Sequence, residues 1–149
     1  MITKFRPRTF TAPATIASGE HGGWRFLALQ PLASLIHRTP RRPPIADISE
    51  EIEAALGKLS RPTSTPDYWL PMHGDLTPWN LRRVGNRLTL FDWEHVGWGP
   101  PGSDRTLYQL TSRRLRLRPI PDVDLEEEAY RFWVDRGRAG PLVQTAPKT

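Results

Sequence analysis

The feature that most limits how this chain can fold is the stretch LRRVGNRLTLFD at 81–92. Two short runs flank Gly85–Asn86, a pair suited to a tight two-residue hairpin turn. If the runs pair, the return strand delivers Asp92 to the point where the outgoing strand began, just after Asn80. Two polar segments, MHGDLTPWNL at 72–81 and LFDWEHVGWGPPGSD at 90–104, are thereby brought together. Taken alone, the first segment is ambiguous, because Gly, Asp, Asn and Pro are the ordinary residues of turns. His73, Asp75 and Asn80 become a candidate catalytic loop because Asp92 is carried to them.

Elsewhere the pattern alternates short strands with amphipathic helices, an α+β arrangement. PATIA (13–17) and WRFLALQ (24–30) read as strands joined through the turn-like SGEHGG. After Pro31, LASLIHR reads as a small helix and RTPRRPP as a linker. From Asp47 to Leu59, residues Ile48, Ile52, Ala55, Leu56 and Leu59 fall on one helical face, with Asp47 and Glu50 spaced as a capping box. A strand is predicted at 68–72 and helices over 104–117 and 122–136. The second of these places Leu125, Ala129, Phe132 and Trp133 on one face and ends at Gly137. Residues 1–11 are expected to be disordered and 140–149 a flexible tail.

Composition removes several classes. A chain of 149 residues without cysteine is long enough for one domain and has no disulfide, thiolate zinc site or cysteine nucleophile. No apolar run approaches the ~18 residues of a membrane span, so no membrane partner is expected and a cytoplasmic location is. The net charge of +5 suits anionic partners. Arginine runs such as Arg113, Arg114, Arg116 and Arg118 read as solvated faces, and no nucleic-acid-binding motif accompanies them. Ser103 lacks a G-x-S-x-G setting, and Glu94–His95 lacks the second histidine of H-E-x-x-H.

HGDLTPWN followed by LFDWEHVGWGPPGSD resembles the catalytic and metal-binding segments of the aminoglycoside phosphotransferase and choline kinase group, relatives of the protein kinases. Asn80 follows Asp75 by five positions, the step of the kinase catalytic loop, and Asp92, Gly99 and Asp104 keep the family spacing of the second segment. Pro100 stands where the family carries the Asp of G-D-P. The resemblance implies that Asp75 is the catalytic base and that Asn80 and Asp92 hold Mg²⁺ against ATP or another nucleoside triphosphate. It further implies that His73 and Asp104 support the loop. More weakly, TIASGEHGGWRFLALQPL is similar to the hairpin that leads into the hinge between kinase lobes, which would set Gln30, Pro31 and Leu32 beside adenine.

The implied fold is protein-kinase-like: mainly the helical C-lobe over 32–139, with a remnant N-lobe hairpin and hinge at 12–31. The family also carries a glycine-rich loop, a lysine and a glutamate ahead of that hairpin, where this sequence has MITKFRPRTFT. The expectation is therefore a chain shortened at its N-terminus. Its function would be transfer of the γ-phosphate of ATP to a hydroxyl of a small molecule. The alternatives are a non-catalytic relative that binds nucleotide, metal or a protein partner, and a basic domain that binds nucleic acid.

Overall fold

The computed structural model describes residues 6–31, 37–115 and 126–138. They form three α-helices and seven short strands, all the paired strands antiparallel. The hairpin expected around Gly85–Asn86 is present. Strand β5 (Leu81–Val84) pairs with β6 (Arg87–Leu90) in the register Leu81↔Leu90 to Val84↔Arg87. Gly85 takes the positive φ of 59° that a two-residue loop with glycine in first position requires.

Several expectations change at this level. His37–Arg38, assigned by pattern to a helix, is strand β3 on the outer edge of β5; the rest of that segment, 32–36, lies outside the described residues. Of residues 6–11, expected to be disordered, Thr9 to Thr11 are packed into the fold. Phe10 is buried, Thr9 hydrogen-bonds Glu51, and Thr11 pairs with both Leu88 and Leu90. SGEHGG is not one long turn: β1 (Thr15–His21) runs through most of it, and the reversal into β2 (Trp24–Leu29) falls on Gly22–Gly23. The tail from 140 lies outside the described residues.

Helix α1 (Ile45–Leu56) buries Ile45, Ile48 and Ile52, one face of a 3.6-residue period. It starts three residues earlier than the Asp47 cap implied, after Pro44. Asp47 thus lies inside the first turn and makes no capping hydrogen bond. The helix ends at Gly57, and Leu59 is left exposed. Strand β4 (Leu70–Met72) pairs with β7 (Gly97–Gly99), a three-residue strand whose glycines hid it from any alternation pattern. Helix α2 (Ser103–Arg114) and helix α3 (Glu127–Asp135) complete the fold.

Two apolar clusters hold these elements. One joins Phe10, the isoleucines of α1, Leu81, Leu88 and Leu90 of the hairpin, Leu76 and Tyr108. The other joins Met72, Leu107, Leu110, Phe132 and Trp133. Segment 72–81 runs along their seam, with Met72 in one cluster and Leu76 in the other. Burying a side chain such as Leu76 stabilises by about 1.5–3 kcal/mol, so the polar residues between these anchors are fixed by packing on either side. Every residue of β1 and β2, by contrast, is exposed.

Candidate active site

The loop from His73 to Asn80 is held from behind by one carboxylate. Asp104, near the start of α2, accepts the backbone N–H of His73 on Oδ2 at 2.7 Å and that of Gly74 on Oδ1 at 3.0 Å. Burial pushes the Asp104 carboxyl up to about 6, and the two backbone donors oppose that rise. Gly74 has φ of 79°, and a Cβ there would sit 2.1 Å from the carbonyl oxygen of His95. Only glycine allows the loop to lie this close to the segment that follows Asp92.

His73 ties the same two segments together by its side chain. Its Nδ1 accepts the backbone N–H of Asp75 at 3.2 Å, so Nε2 carries the proton and donates to the carbonyl of Phe91 at 2.8 Å. The first of these bonds requires the neutral ring, because a protonated Nδ1 has no lone pair to offer. Burial pushes the His73 pKa down to about 4, against the pull of the Phe91 carbonyl and of Asp92. Trp93 packs edge-on to this imidazole with centroids 4.6 Å apart, and Phe10 stacks on Trp93. A third tie is the N–H of Phe91, which donates to the Asn80 carbonyl at 2.9 Å. Phe91 is thus bonded on one side to His73 and on the other to Asn80, and the next residue is Asp92.

Asp75 is buried, and both of its carboxylate oxygens are engaged. Oδ2 accepts Asn80 Nδ2 at 2.7 Å, and the same Nδ2 reaches the Asp75 carbonyl at 3.0 Å. Oδ1 is ion-paired with Arg138. Asp92 is exposed and left-handed (φ 60°, ψ 61°), and it is the sole non-glycine with positive φ among the described residues. Its carboxylate makes no hydrogen bond or ion pair among the described residues. Gln30 and Pro31 are exposed at the end of β2, where the Gln30 N–H donates to Ala14 at 2.7 Å. Leu32 lies outside the described residues.

Among the described residues no group of three or more His, Cys, Asp or Glu is placed to hold a metal ion. Magnesium uses few protein ligands, all hard oxygens, and keeps the rest of its shell for water and phosphate. Asn80 commits Nδ2 to Asp75 and so leaves Oδ1 to offer, while the Asp92 carboxylate is open to solvent. These two residues fit Mg²⁺.

Arg138 escaped the sequence reading, although a signal for it existed. Gly137 at a helix end predicts a left-handed cap, and the residue after such a cap is pinned to the last turn. Here the Gly137 N–H bonds Val134 and the Arg138 N–H bonds Trp133, both at 2.9 Å. The cap directs the chain, but its direction toward Asp75 depends on how α3 docks on α2, which no local pattern encodes. The Trp133 indole N–H fixes that docking by donating to the Ser103 carbonyl at 2.7 Å.

No curated protein and no solved structure matches the chain. One family model does, across residues 8–140, a span that takes in the buried Phe10, the loop, the Asp92 arm and Arg138. With most of its length matched, and with the loop tied to the Asp92 arm within that length, the chain belongs to the phosphotransferase enzyme family.

Proposed function

We propose that this protein has a kinase-like fold and transfers the γ-phosphoryl group of ATP to a hydroxyl of a small molecule. In this reading β1 and β2 belong to the N-lobe, Gln30, Pro31 and Leu32 to the hinge beside adenine, and the rest to the C-lobe. The observation that carries it is the tie at Phe91. Its N–H and carbonyl are bonded to Asn80 and His73, so the proposed base and one proposed metal ligand belong to one hydrogen-bonded unit, and the other ligand, Asp92, is the next residue after Phe91. Phosphoryl transfer needs that arrangement, because most of its catalysis is positioning and electrostatic stabilisation.

Asp75 accepts the proton of the acceptor hydroxyl as the new O–P bond forms and the bond from the γ-phosphorus to the leaving oxygen of ADP breaks. Asn80 holds the Asp75 carboxylate in place through Nδ2 and would present Oδ1 to Mg²⁺ together with Asp92. The ion, when bound, neutralises phosphate charge. His73 and Asp104 fix the backbone of the loop and touch no substrate.

A second reading, binding of nucleotide, metal or a protein partner without turnover, draws on the exposed β1–β2 hairpin. Trp24 is 81% exposed and Ile16 65%, and an isolated two-stranded hairpin is at best marginally stable. Calorimetry separates the outcomes. Weak MgATP binding that Asp92→Ala abolishes supports the site, and identical titrations of wild type and variant overturn it. Binding without phosphate transfer to any offered alcohol selects the second reading.

A further inference from the structure

The residue that faces the proposed base is a cation, and the fold holds it there. Arg138 ion-pairs Asp75 Oδ1. Its backbone is fixed by the cap at Gly137, and α3 is anchored by the indole of Trp133 to the carbonyl of Ser103. The next residue along, Asp104, holds the backbone of His73 and Gly74. The helix that precedes Arg138 and the loop that carries Asp75 are therefore anchored at adjacent residues of α2, Ser103 and Asp104, and the pairing is part of the same framework that sets the loop.

Their exposures differ in a way that matters for whatever approaches. The Asp75 side chain is 8% exposed and that of Arg138 36%. The Arg138 side chain is thus partly open to solvent beside a nearly covered carboxylate. Arginine has five N–H donors in a rigid plane, and no hydrogen bond from the others is seen among the described residues. An acceptor whose hydroxyl is to reach Asp75 must come in beside this fixed positive charge.

That charge sorts acceptors. A polycationic or quaternary-ammonium alcohol meets no net negative charge where its hydroxyl has to sit, because Arg138 already neutralises Asp75. An alcohol with a neighbouring carboxylate or phosphate meets a planar donor pair that matches two oxygens of an oxyanion, the geometry in which arginine is most selective. We propose that Arg138 is a substrate-binding residue and that the acceptor class of this site is a hydroxyl compound carrying an oxyanion close to the hydroxyl. The proposal rests on the phosphotransfer reading for the role of Asp75.

The test compares ligands by calorimetry on the full chain, without nucleotide or metal, at one fixed ionic strength. The probes are glycerol, glycerate, glycerol 3-phosphate and choline. Glycerate or glycerol 3-phosphate is expected to bind at least roughly tenfold tighter than glycerol, with choline weakest. A preference for glycerate alone assigns the oxyanion as carboxylate, and for glycerol 3-phosphate alone as phosphate. Arg138→Ala should remove the preference and Arg138→Lys retain part of it, with circular dichroism confirming that each variant is folded. Choline binding tighter than both anions, no binding of either anion, or a preference unchanged in folded Arg138→Ala would each overturn the proposal. Because no nucleotide is present, a chain that prefers the anions yet ignores MgATP keeps the role of Arg138 and loses the phosphotransfer reading. One that binds MgATP but prefers choline does the reverse.

Discussion

His73 and Asp104 form a buried pair whose titrations oppose each other, and removing either should uncover the other. The His73 pKa drops from 6.5 to about 4 on folding, so between those values the unfolded chain binds the extra proton and stability rises with pH. Asp104 rises from 3.8 to about 6, so over that range the folded chain binds the extra proton and stability falls with pH. At ~1.4 kcal/mol for each pKa unit, each effect is about 3 kcal/mol, with opposite signs. Near the middle of the shared window the folded state carries its proton on Asp104 and the unfolded state carries one on His73. The counts match and the two slopes cancel.

The perturbation is His73→Gln, which removes one titration and keeps a side chain able to donate to the Phe91 carbonyl. Its stability relative to wild type is expected to fall by about 3 kcal/mol as pH rises from about 4 to 6.5, because the His73 term lost on substitution is present only at the upper end. Asp104→Asn should show the mirror image, its deficit relative to wild type shrinking by about 3 kcal/mol between pH ~4 and ~6. Urea unfolding followed by fluorescence of the six tryptophans, extrapolated to water at each pH, gives the comparison. Other carboxylates contribute equally to wild type and variants and drop out of the difference. Profiles parallel to wild type in both variants, or slopes of the wrong sign, would refute the account of the pair.

Two substitutions test how the loop and α3 are held. Gly74→Ala places a Cβ 2.1 Å from the His95 carbonyl and is expected to cost more than about 3 kcal/mol. Gly85→Ala has a similar positive φ but nothing within 4 Å, and should cost only the ~1–2 kcal/mol of the left-handed conformation; equal losses in thermal unfolding would remove the close-approach argument. Trp133→Phe deletes the indole donor to Ser103 and should cost about 1–3 kcal/mol while loosening the position of Arg138. An unchanged melting temperature would show that α3 is held by other contacts.

How much of this was readable in advance follows from the range of each interaction. The β5–β6 hairpin and α1 are specified by neighbours in sequence, through one glycine-containing turn and one isoleucine face, and both were legible. The strand character of His37–Arg38 and of Gly97–Gly99 arises from the strands they pair with, β5 and β4. Two or three residues carry no period to detect. Phe10 was missed for the same reason: its segment is polar and proline-containing, and its order comes from Glu51 and the edge of β6. In the site, the spacing of His73, Asp75, Asn80, Asp92 and Asp104 was visible, because these residues lie within one continuous stretch. Arg138, which faces Asp75 across 63 positions, depends on helix docking and was not.

Asp92 is where local stability and proposed function pull apart. A left-handed backbone costs an L-residue about 1–2 kcal/mol, somewhat less for aspartate. At an exposed carboxylate with no hydrogen bond or ion pair among the described residues, nothing local offsets that cost. Glycine at 92 removes the strain, though it adds flexibility to the unfolded chain. Alanine keeps the strain without the tolerance aspartate has for this region. The expected stability order is therefore Asp92→Gly above wild type by about 1 kcal/mol and Asp92→Ala below it. If the strain is kept to aim a carboxylate at Mg²⁺, the ion should raise the melting temperature of wild type and of neither variant. A glycine variant less stable than wild type would show that Asp92 is held by packing. A magnesium shift of equal size in all three would place the ion elsewhere.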